Sequence, residues 1–250
     1  MSSPSLLSAK IDSLFCDCPD IEKKIYVTWK NKRIIDKSYS IIKNGIVQLK
    51  KLNPDYMFYI YDDAEVDEYI KSKVSTADYE LIRTRNIVEK ADLWRLLVMY
   101  WEGGVYCDID RFCNQPLSTI ITAGVKCVLP IYGDTDFSQD IMMSCKGNPI
   151  VARAIELNLE RRLTTINDIF YLGPATYFNA ATEVLLGRQL ERYPGQEVLG
   201  LLEAGIKGSN YMKTYVERPP FDTILYRGSA LLNDKSRMYR EEAVQHWSRA

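Results

Sequence analysis

The amino-acid sequence predicts a single α/β domain with a mostly parallel central sheet. Its 250 residues are 46% hydrophobic, which suffices for one sizeable core, and α/β domains of this length are often single. A β-branched and aromatic segment at 25–29 and another at 56–61 flank a helical pattern at 34–51. A strand, a helix and a strand in that order predict a parallel pair joined by a right-handed crossover.

Further elements of the first half are read in the same way. Residues 1–20 are Ser-rich and predict a short helix or a loose lead-in, so we place a lead-in at 1–21 and the domain itself at 22–250. Short helices are expected over 64–84. A long helix is expected from about 86 to 101, because its apolar residues recur at three- and four-residue steps.

The second half of the chain carries weaker patterns. Two glycines, Gly103 and Gly104, end the long helix, and a short apolar strand follows immediately. Beyond residue 195 the pattern weakens and no element is predicted. Between that strand and residue 195, the sequence predicts a strand at 125–130, a short apolar segment at 141–143, and helices at 148–162 and 173–186.

Composition and charge exclude several classes of protein. The 32 basic and 33 acidic residues nearly cancel, so the chain lacks the strong basic excess typical of nucleic-acid binding. The six cysteines show no paired zinc spacing. No stretch approaches the ~20 apolar residues of a membrane span, and the first residues lack the pattern of a signal peptide. We therefore expect a soluble cytoplasmic protein from a bacterial or viral setting; a chain from which an anchor had been removed would look the same.

Two carboxylates, Asp108 and Asp110, end the short strand that follows the two glycines. Side chains alternate along a strand, so residues two apart point to the same face. Carboxylates on one face repel each other unless a cation or a cluster of donors lies between them. Because open α/β sheets bind ligands at the carboxyl ends of their strands, one interpretation is a divalent cation that clamps a phosphate-bearing substrate. The other is an ordinary solvated turn after a strand.

Other polar and aromatic residues admit two interpretations each. Asp92 and Arg95 lie three apart on the long helix, so they form either an exposed ion pair or a fork for sugar hydroxyls beside the metal. Thr28 and Trp29 end the first strand, where an aromatic ring either stacks on a nucleotide base or fills the core. His246, the only histidine, is either a surface or core residue or a metal ligand on a terminal segment that folds back over the site.

Together these residues resemble glycosyltransferase family 32. This family of DXD-containing sugar transferases includes fungal initiating mannosyltransferases and bacterial capsule enzymes, with the large glucosylating toxins as more distant relatives. The family pattern is a small residue, Asp, two variable residues and Arg, followed by Gly-Gly-x-Tyr-x-Asp-x-Asp. Residues 91–95 (Ala-Asp-Leu-Trp-Arg) and 103–110 (Gly-Gly-Val-Tyr-Cys-Asp-Ile-Asp) match this pattern in order. Weaker similarities lie at 24–30, at 59–63, at the Gly-Pro of 173–174 and at the His-Trp of 246–247.

The resemblance implies a GT-A fold, an α/β/α sandwich with a nucleotide-sugar site that depends on Mn²⁺ or Mg²⁺. By motif position, Asp110 would bind the metal directly, and Asp108 would contact the metal and the ribose. His246 would be a third metal ligand or a contact to the diphosphate. Asp92 and Arg95 would hold the donor sugar and take part in catalysis.

The resemblance also assigns residues around the rest of the donor. Thr28 and Trp29 would lie beside the base, and Tyr106 of the motif is grouped with the donor-binding residues. Asp140 stands near a position where relatives often have Asn, in a segment that lines the donor sugar. We include Asp140 among the candidate catalytic residues, and its departure from the family pattern leaves its role open.

The implied reaction moves a hexose from a UDP- or GDP-sugar to a glycan or other hydroxyl acceptor, with retention of anomeric configuration. One alternative is a non-catalytic nucleotide-sugar or glycan binder on the same fold, because a fold does not determine an activity. Another is a metal-dependent phosphohydrolase with an aspartyl nucleophile. That class needs Thr or Val two residues beyond the second aspartate, where this chain has Phe112.

Overall fold

The computed structural model describes residues 4–36, 41–110, 115–132, 136–137, 139–163, 169–189 and 195–216. Seven strands in these ranges form one sheet. They are β1 (Lys24–Thr28), β2 (Met57–Tyr61), β3 (Gly104–Cys107), β4 (Cys127–Tyr132), β5 (Asp136–Phe137), β6 (Ile141–Ser144) and β7 (Met212–Val216).

The sheet has the order β2-β1-β3-β6-β4-β5, and β7 pairs with β4. The α/β fold is confirmed, and the predicted parallel pair is β1 with β2, to which β3 adds a third parallel strand. The other half is mixed, so the expectation of a mostly parallel sheet is wrong there. Strand β7 runs parallel to β4, but β6 runs antiparallel to β3 and β4, and β5 runs antiparallel to β4. The segments that join β4, β5 and β6 are too short for the crossover that a parallel connection needs.

Helices surround the sheet. The α-helices of the described residues are α1 (Pro4–Phe15), α2 (Ile41–Leu52), α3 (Asp63–Lys73), α4 (Thr76–Ile82), α5 (Ile87–Trp101), α6 (Pro149–Arg162), α7 (Ile169–Leu172), α8 (Pro174–Leu186) and α9 (Gly195–Lys207). Two short 3-10 helices add Lys32–Ile35 and Leu117–Thr119.

Each face of the sheet buries its own apolar cluster, as the alternation of side chains along a strand requires. Tyr26 and Tyr106 point to the face covered by α5, α6 and α8. Val27 and Val105 point to the opposite face, which α2 covers. The site described below lies on the α5 face.

Helix α1 belongs to the core of the α5 face, where Leu7, Ile11 and Phe15 are buried. It packs against α9, and the Ser8 hydroxyl donates to the Gly205 carbonyl over 2.7 Å. The sequence predicted a short helix or a loose lead-in here, and the structure has the helix. It did not predict α9 or β7, which form beyond residue 195.

Two glycines allow α5 to pass directly into β3. Gly103 and Gly104 have φ angles of +65° and +109°, which side-chain-bearing residues rarely adopt. A Cβ on Gly104 would lie 2.6 Å from the carbonyl oxygen of Lys24, so β3 passes close to β1 at this point. The glycine pair therefore fixes where the strand starts, and hence where Asp108 follows it.

Candidate active site

Four residues lie side by side at the carboxyl ends of the parallel strands. Thr28, the last residue of β1, pairs with Tyr61, the last residue of β2. The pairing of β1 with β3 brings Thr28 level with Asp108, one residue beyond the end of β3. On the other side, the Asp108 amide donates to the Asp140 carbonyl over 2.7 Å. The carboxyl ends of parallel strands, here β1, β2 and β3, are the usual place for a ligand in an open α/β sheet.

The two carboxylates of the Asp-x-Asp motif differ in position and exposure. Strand β3 ends at Cys107, and the chain turns at residues 109–110. The prediction that alternation along the strand places both carboxylates on one face is therefore wrong in its premise, because both follow the strand. Asp110 is only 3% exposed, whereas the Asp108 side chain is 32% exposed. The two are still close enough for the charge of Asp110 to raise the pKa of Asp108.

Arg95 connects the long helix to the motif. Its Nη2 lies 2.7 Å from Asp92 Oδ1 and its Nη1 lies 3.4 Å from Asp108 Oδ1. The guanidinium also packs over the Tyr106 ring, 4.7 Å from the ring centroid. At 7% exposure Arg95 is buried, so the interpretation of Asp92 and Arg95 as an exposed ion pair is wrong. They form a buried unit that reaches across to the sheet.

The remaining contacts make this cluster rigid. Arg95 Nη1 donates to the Gln139 carbonyl over 3.0 Å, and the Tyr106 hydroxyl donates to Asp108 Oδ1. The Tyr106 ring packs edge-on against Trp94, with ring centroids 5.9 Å apart. Helix, strand and the segment before β6 therefore all contribute to the position of the Arg95 and Asp108 side chains.

Burial and like charges raise the pKa values of the acidic groups. Burial raises the pKa of Asp108 to about 6, with Asp110 and Asp140 adding to the rise while Arg95 and Tyr106 oppose it. Burial also raises the pKa of Asp92, against the opposing charge of Arg95. The pKa of Arg95 is itself raised, because the attraction of Asp108 and its neighbours outweighs the effect of burial. The cluster thus carries more acidic groups than its one arginine neutralises, an arrangement that favours a bound cation.

The donor chemistry fits a hard divalent cation. Asp108 and Asp110 offer carboxylate oxygens, the ligands that Mg²⁺ and Mn²⁺ accept. Within the described ranges, no group of three or more His, Cys, Asp or Glu side chains converges as a complete metal site. The remaining ligands would have to come from a bound diphosphate or from outside those ranges, and His246 lies outside them.

Thr28 and Trp29 lie at the carboxyl end of β1, beside the acidic cluster. The Thr28 hydroxyl and the Trp29 amide both donate to the Tyr61 carbonyl, each over 3.0 Å. The Trp29 side chain is half-buried and packs against the apolar cluster on the α2 face. It therefore fills part of the core and also stays partly accessible, so its role beside a base stays a prediction.

Gln139 is a member of the cluster that the sequence did not predict. Its side-chain Nε2 donates to Asp92 Oδ1 over 3.2 Å, and its carbonyl accepts from Arg95 as described above. It is 3% exposed. One signal in the sequence could have found it: Gln139 is a polar residue next to Asp140, directly before the apolar segment at 141–143.

A second buried ion pair supports the helix that carries Asp92 and Arg95. Arg162 of α6 is fully buried, and its Nη1 lies 3.1 Å from Oε2 of Glu89 in the first turn of α5. Its Nε donates to Asn158 Oδ1 over 2.9 Å. Arg162 thereby ties α6 to α5 one turn before Asp92.

The sequence of the first half of the chain matches a known family model. Residues 4–125 match the model described as "Glycosyltransferase sugar-binding region containing DXD motif". This part of the chain is therefore similar to the sugar-binding region of the DXD-containing glycosyltransferases. The match includes Asp92, Arg95, Asp108 and Asp110, and the resemblance predicted from the sequence is confirmed.

Curated relatives of this region are fungal mannosyltransferases. Inositol phosphoceramide mannosyltransferase 3 of Schizosaccharomyces pombe is 30% identical over 148 residues, which are 56% of this chain and 38% of that protein. Mannosyl phosphorylinositol ceramide synthase SUR1 of Saccharomyces cerevisiae is 26% identical over 54% of this chain and 34% of that protein. The initiation-specific alpha-1,6-mannosyltransferase of Candida albicans is 31% identical over 40% of this chain and 27% of that protein. The chain thus spans about a quarter to two-fifths of these relatives.

A solved structure shares the fold. The structure named "PaToxG Glycosyltransferase" superposes with a TM-score of 0.54 at 19% identity, covering 82% of this chain and 83% of that one. The predicted GT-A-type architecture is therefore confirmed. Among the helices of the described ranges, none combines the length and apolar character that crossing a membrane requires.

Proposed function

We propose that the chain transfers a hexose from a nucleotide-diphosphate sugar to a glycan or other hydroxyl acceptor, with a divalent cation at Asp108 and Asp110. The observation that carries the proposal is the buried contact of one arginine, Arg95, with both Asp92 and Asp108. Through this contact Arg95, a helix residue of the family pattern, joins Asp92 to the first carboxylate of the motif, Asp108. The family match over residues 4–125 supports the same reaction class.

The motif carboxylates would hold the cation. Asp110 would bind it directly, and Asp108 would contact it and the ribose, with His246 as a candidate third ligand. A divalent cation bound there would neutralise charge that develops on the departing diphosphate. Tyr106 and Arg95 restrain Asp108 before any ligand arrives, so its carboxylate needs little reordering on binding.

Around the sugar, the chain's own groups would orient hydroxyls and favour the transition state. Asp92 is buried and paired with Arg95, so its carboxylate would stabilise the positive charge that develops on the sugar ring. Arg95 would help to hold the donor sugar and would keep Asp92 in position through their ion pair. Asp140 would line the sugar from the segment before β6. We propose retention of configuration, with attack assisted by the leaving group.

The similar proteins indicate which donor to test first. The relatives named above are mannosyltransferases, so GDP-mannose is the first donor to test, followed by UDP-sugars. Thr28 and Trp29 would lie beside the base. Since these relatives come from fungi, the cytoplasmic bacterial or viral setting expected from the sequence stays a prediction.

The experiment is calorimetric titration with GDP-mannose, UDP-glucose, UDP-galactose and UDP-N-acetylglucosamine, first with Mn²⁺ or Mg²⁺ and then with EDTA. One donor should bind with metal and lose affinity in EDTA. The Asp110→Asn variant should weaken this binding by more than about tenfold, because a ligand carboxylate is lost. Release of nucleoside diphosphate from the bound donor should be slowed by the same substitution.

The matched control is Asp17→Asn, which changes an exposed aspartate outside the site and should leave binding unchanged. Equal donor affinity in Mn²⁺, in EDTA and in Asp110→Asn would remove the metal from the proposal. Tight donor binding without any release of nucleoside diphosphate, with acceptor sugars present, would favour the non-catalytic binder.

A further inference from the structure

Gln139 occupies the centre of the acidic cluster without belonging to the family pattern. Its carbonyl accepts from Arg95 Nη1 at 3.0 Å, and its side-chain Nε2 donates to Asp92 Oδ1 at 3.2 Å. Only 3% of the residue is exposed. A buried amide at this place is therefore held by the two residues proposed to contact the donor sugar.

The surroundings determine which way the amide points. Asp92 Oδ1 already accepts from Arg95 Nη2 at 2.7 Å, so this oxygen is an acceptor and Gln139 must present Nε2 to it. The other amide atom, Oε1, is buried and has no hydrogen-bond donor among the residues that the structure describes. Buried polar atoms in proteins are nearly always hydrogen-bonded, so each exception calls for an explanation, and a bound ligand is one.

We propose that Gln139 is a specificity-determining residue of the donor site, where its Oε1 accepts a hydrogen bond from one hydroxyl of the donor sugar. The inference rests on the proposed function, because it requires a donor sugar next to Asp92 and Arg95. A hydroxyl is the donor group that a sugar offers, and a neutral amide oxygen pairs with it without adding charge to an already acidic cluster. A site that hydrogen-bonds a substrate hydroxyl rejects an analogue without it, because the protein acceptor is then left unpaired.

The test compares the nucleotide sugar with the free nucleotide. The parent protein, Gln139→Met and Gln139→Asn are titrated with the donor that binds among GDP-mannose, UDP-glucose, UDP-galactose and UDP-N-acetylglucosamine, and with GDP or UDP alone. Gln139→Met keeps the length of the side chain and removes the amide, and Gln139→Asn keeps the amide but withdraws it. Both should weaken nucleotide-sugar binding about tenfold and leave nucleoside-diphosphate binding unchanged. Asp110→Asn should instead weaken both ligands.

A purely structural role for Gln139, through Asp92, is separated with deoxy-sugar analogues of the same donor. In the parent protein, removal of the hydroxyl that Gln139 binds should weaken affinity about tenfold, whereas in Gln139→Met the same removal should change nothing. Losses that add independently for every deoxy analogue would overturn the inference and leave the proposed function standing. A parent protein that binds none of the nucleotide sugars would overturn both.

Discussion

Removal of Arg95 tests whether the cluster is a buried charge network. In Arg95→Met the apolar stem is kept, while Asp92 loses a partner at 2.7 Å and Asp108 one at 3.4 Å. Removing one member of a buried ion pair typically costs about 3–5 kcal/mol, because the other charge stays buried without compensation. Asp108 is partly exposed and keeps its contact with Tyr106, so we expect about 3 kcal/mol, mostly from Asp92.

Arg153 offers a matched control. It also contacts several carboxylates, with Glu183 at 2.7 Å and Glu156 and Glu160 at 2.9 Å, but its side chain is 23% exposed and two of these partners are exposed. Ion pairs with exposed partners contribute little, and only Glu183 is largely shielded, so Arg153→Met should cost clearly less than Arg95→Met, about 1–2 kcal/mol. The comparison therefore isolates burial from the mere loss of an arginine.

Urea unfolding of the parent and both variants, followed by circular dichroism, measures the two costs. The deficit of Arg95→Met should shrink as the pH is lowered from neutrality. The pKa of Asp92 is already raised by burial and rises further without Arg95, so the carboxyl becomes neutral as the pH falls. Equal costs for Arg95→Met and Arg153→Met, or a deficit that does not change with pH, would refute the buried network.

Three further outcomes follow from the structure. Gly103→Ala should cost about 2 kcal/mol more than Gly187→Ala. The two glycines have similar φ angles, +65° and +67°, but only at Gly103 would the added Cβ lie 2.8 Å from a backbone nitrogen, that of Lys146. Equal urea midpoints for the two variants would contradict this. In EDTA, the stability of the parent relative to Asp108→Asn should fall from about pH 4 to about pH 6 and then level off. The reason is that a carboxyl whose pKa is raised to about 6 binds its proton more tightly in the folded state; a relative stability that rises over this range would contradict the raised pKa. Trp29→Leu should weaken GDP and the corresponding nucleotide sugar equally, by about tenfold, if the ring stacks on the base. Unchanged nucleotide affinity would leave Trp29 as a core residue.

Local patterns were enough for the elements that position the site. Strands β1 and β2 and helix α5 are confirmed close to their predicted ends, because β-branched runs and apolar spacing are properties of the residues themselves. The start of α5 is fixed locally as well, since the Asn86 side chain accepts from the Glu89 amide. Helix α9 was missed although its buried Leu199, Leu202 and Ile206 recur at three- and four-residue steps; its packing against α1, nearly 200 residues earlier, was not visible locally.

The sequence by itself determined which residues are available at the site. Spacing three apart on a helix placed Asp92 beside Arg95, and the motif supplied Asp108 and Asp110 after a strand. Only the tertiary structure decided that Arg95 is buried and that it reaches Asp108. It also brought Gln139, 44 residues after Arg95, into the cluster. Burial and contacts between distant segments depend on how helix and sheet pack together, and no local pattern carries that information.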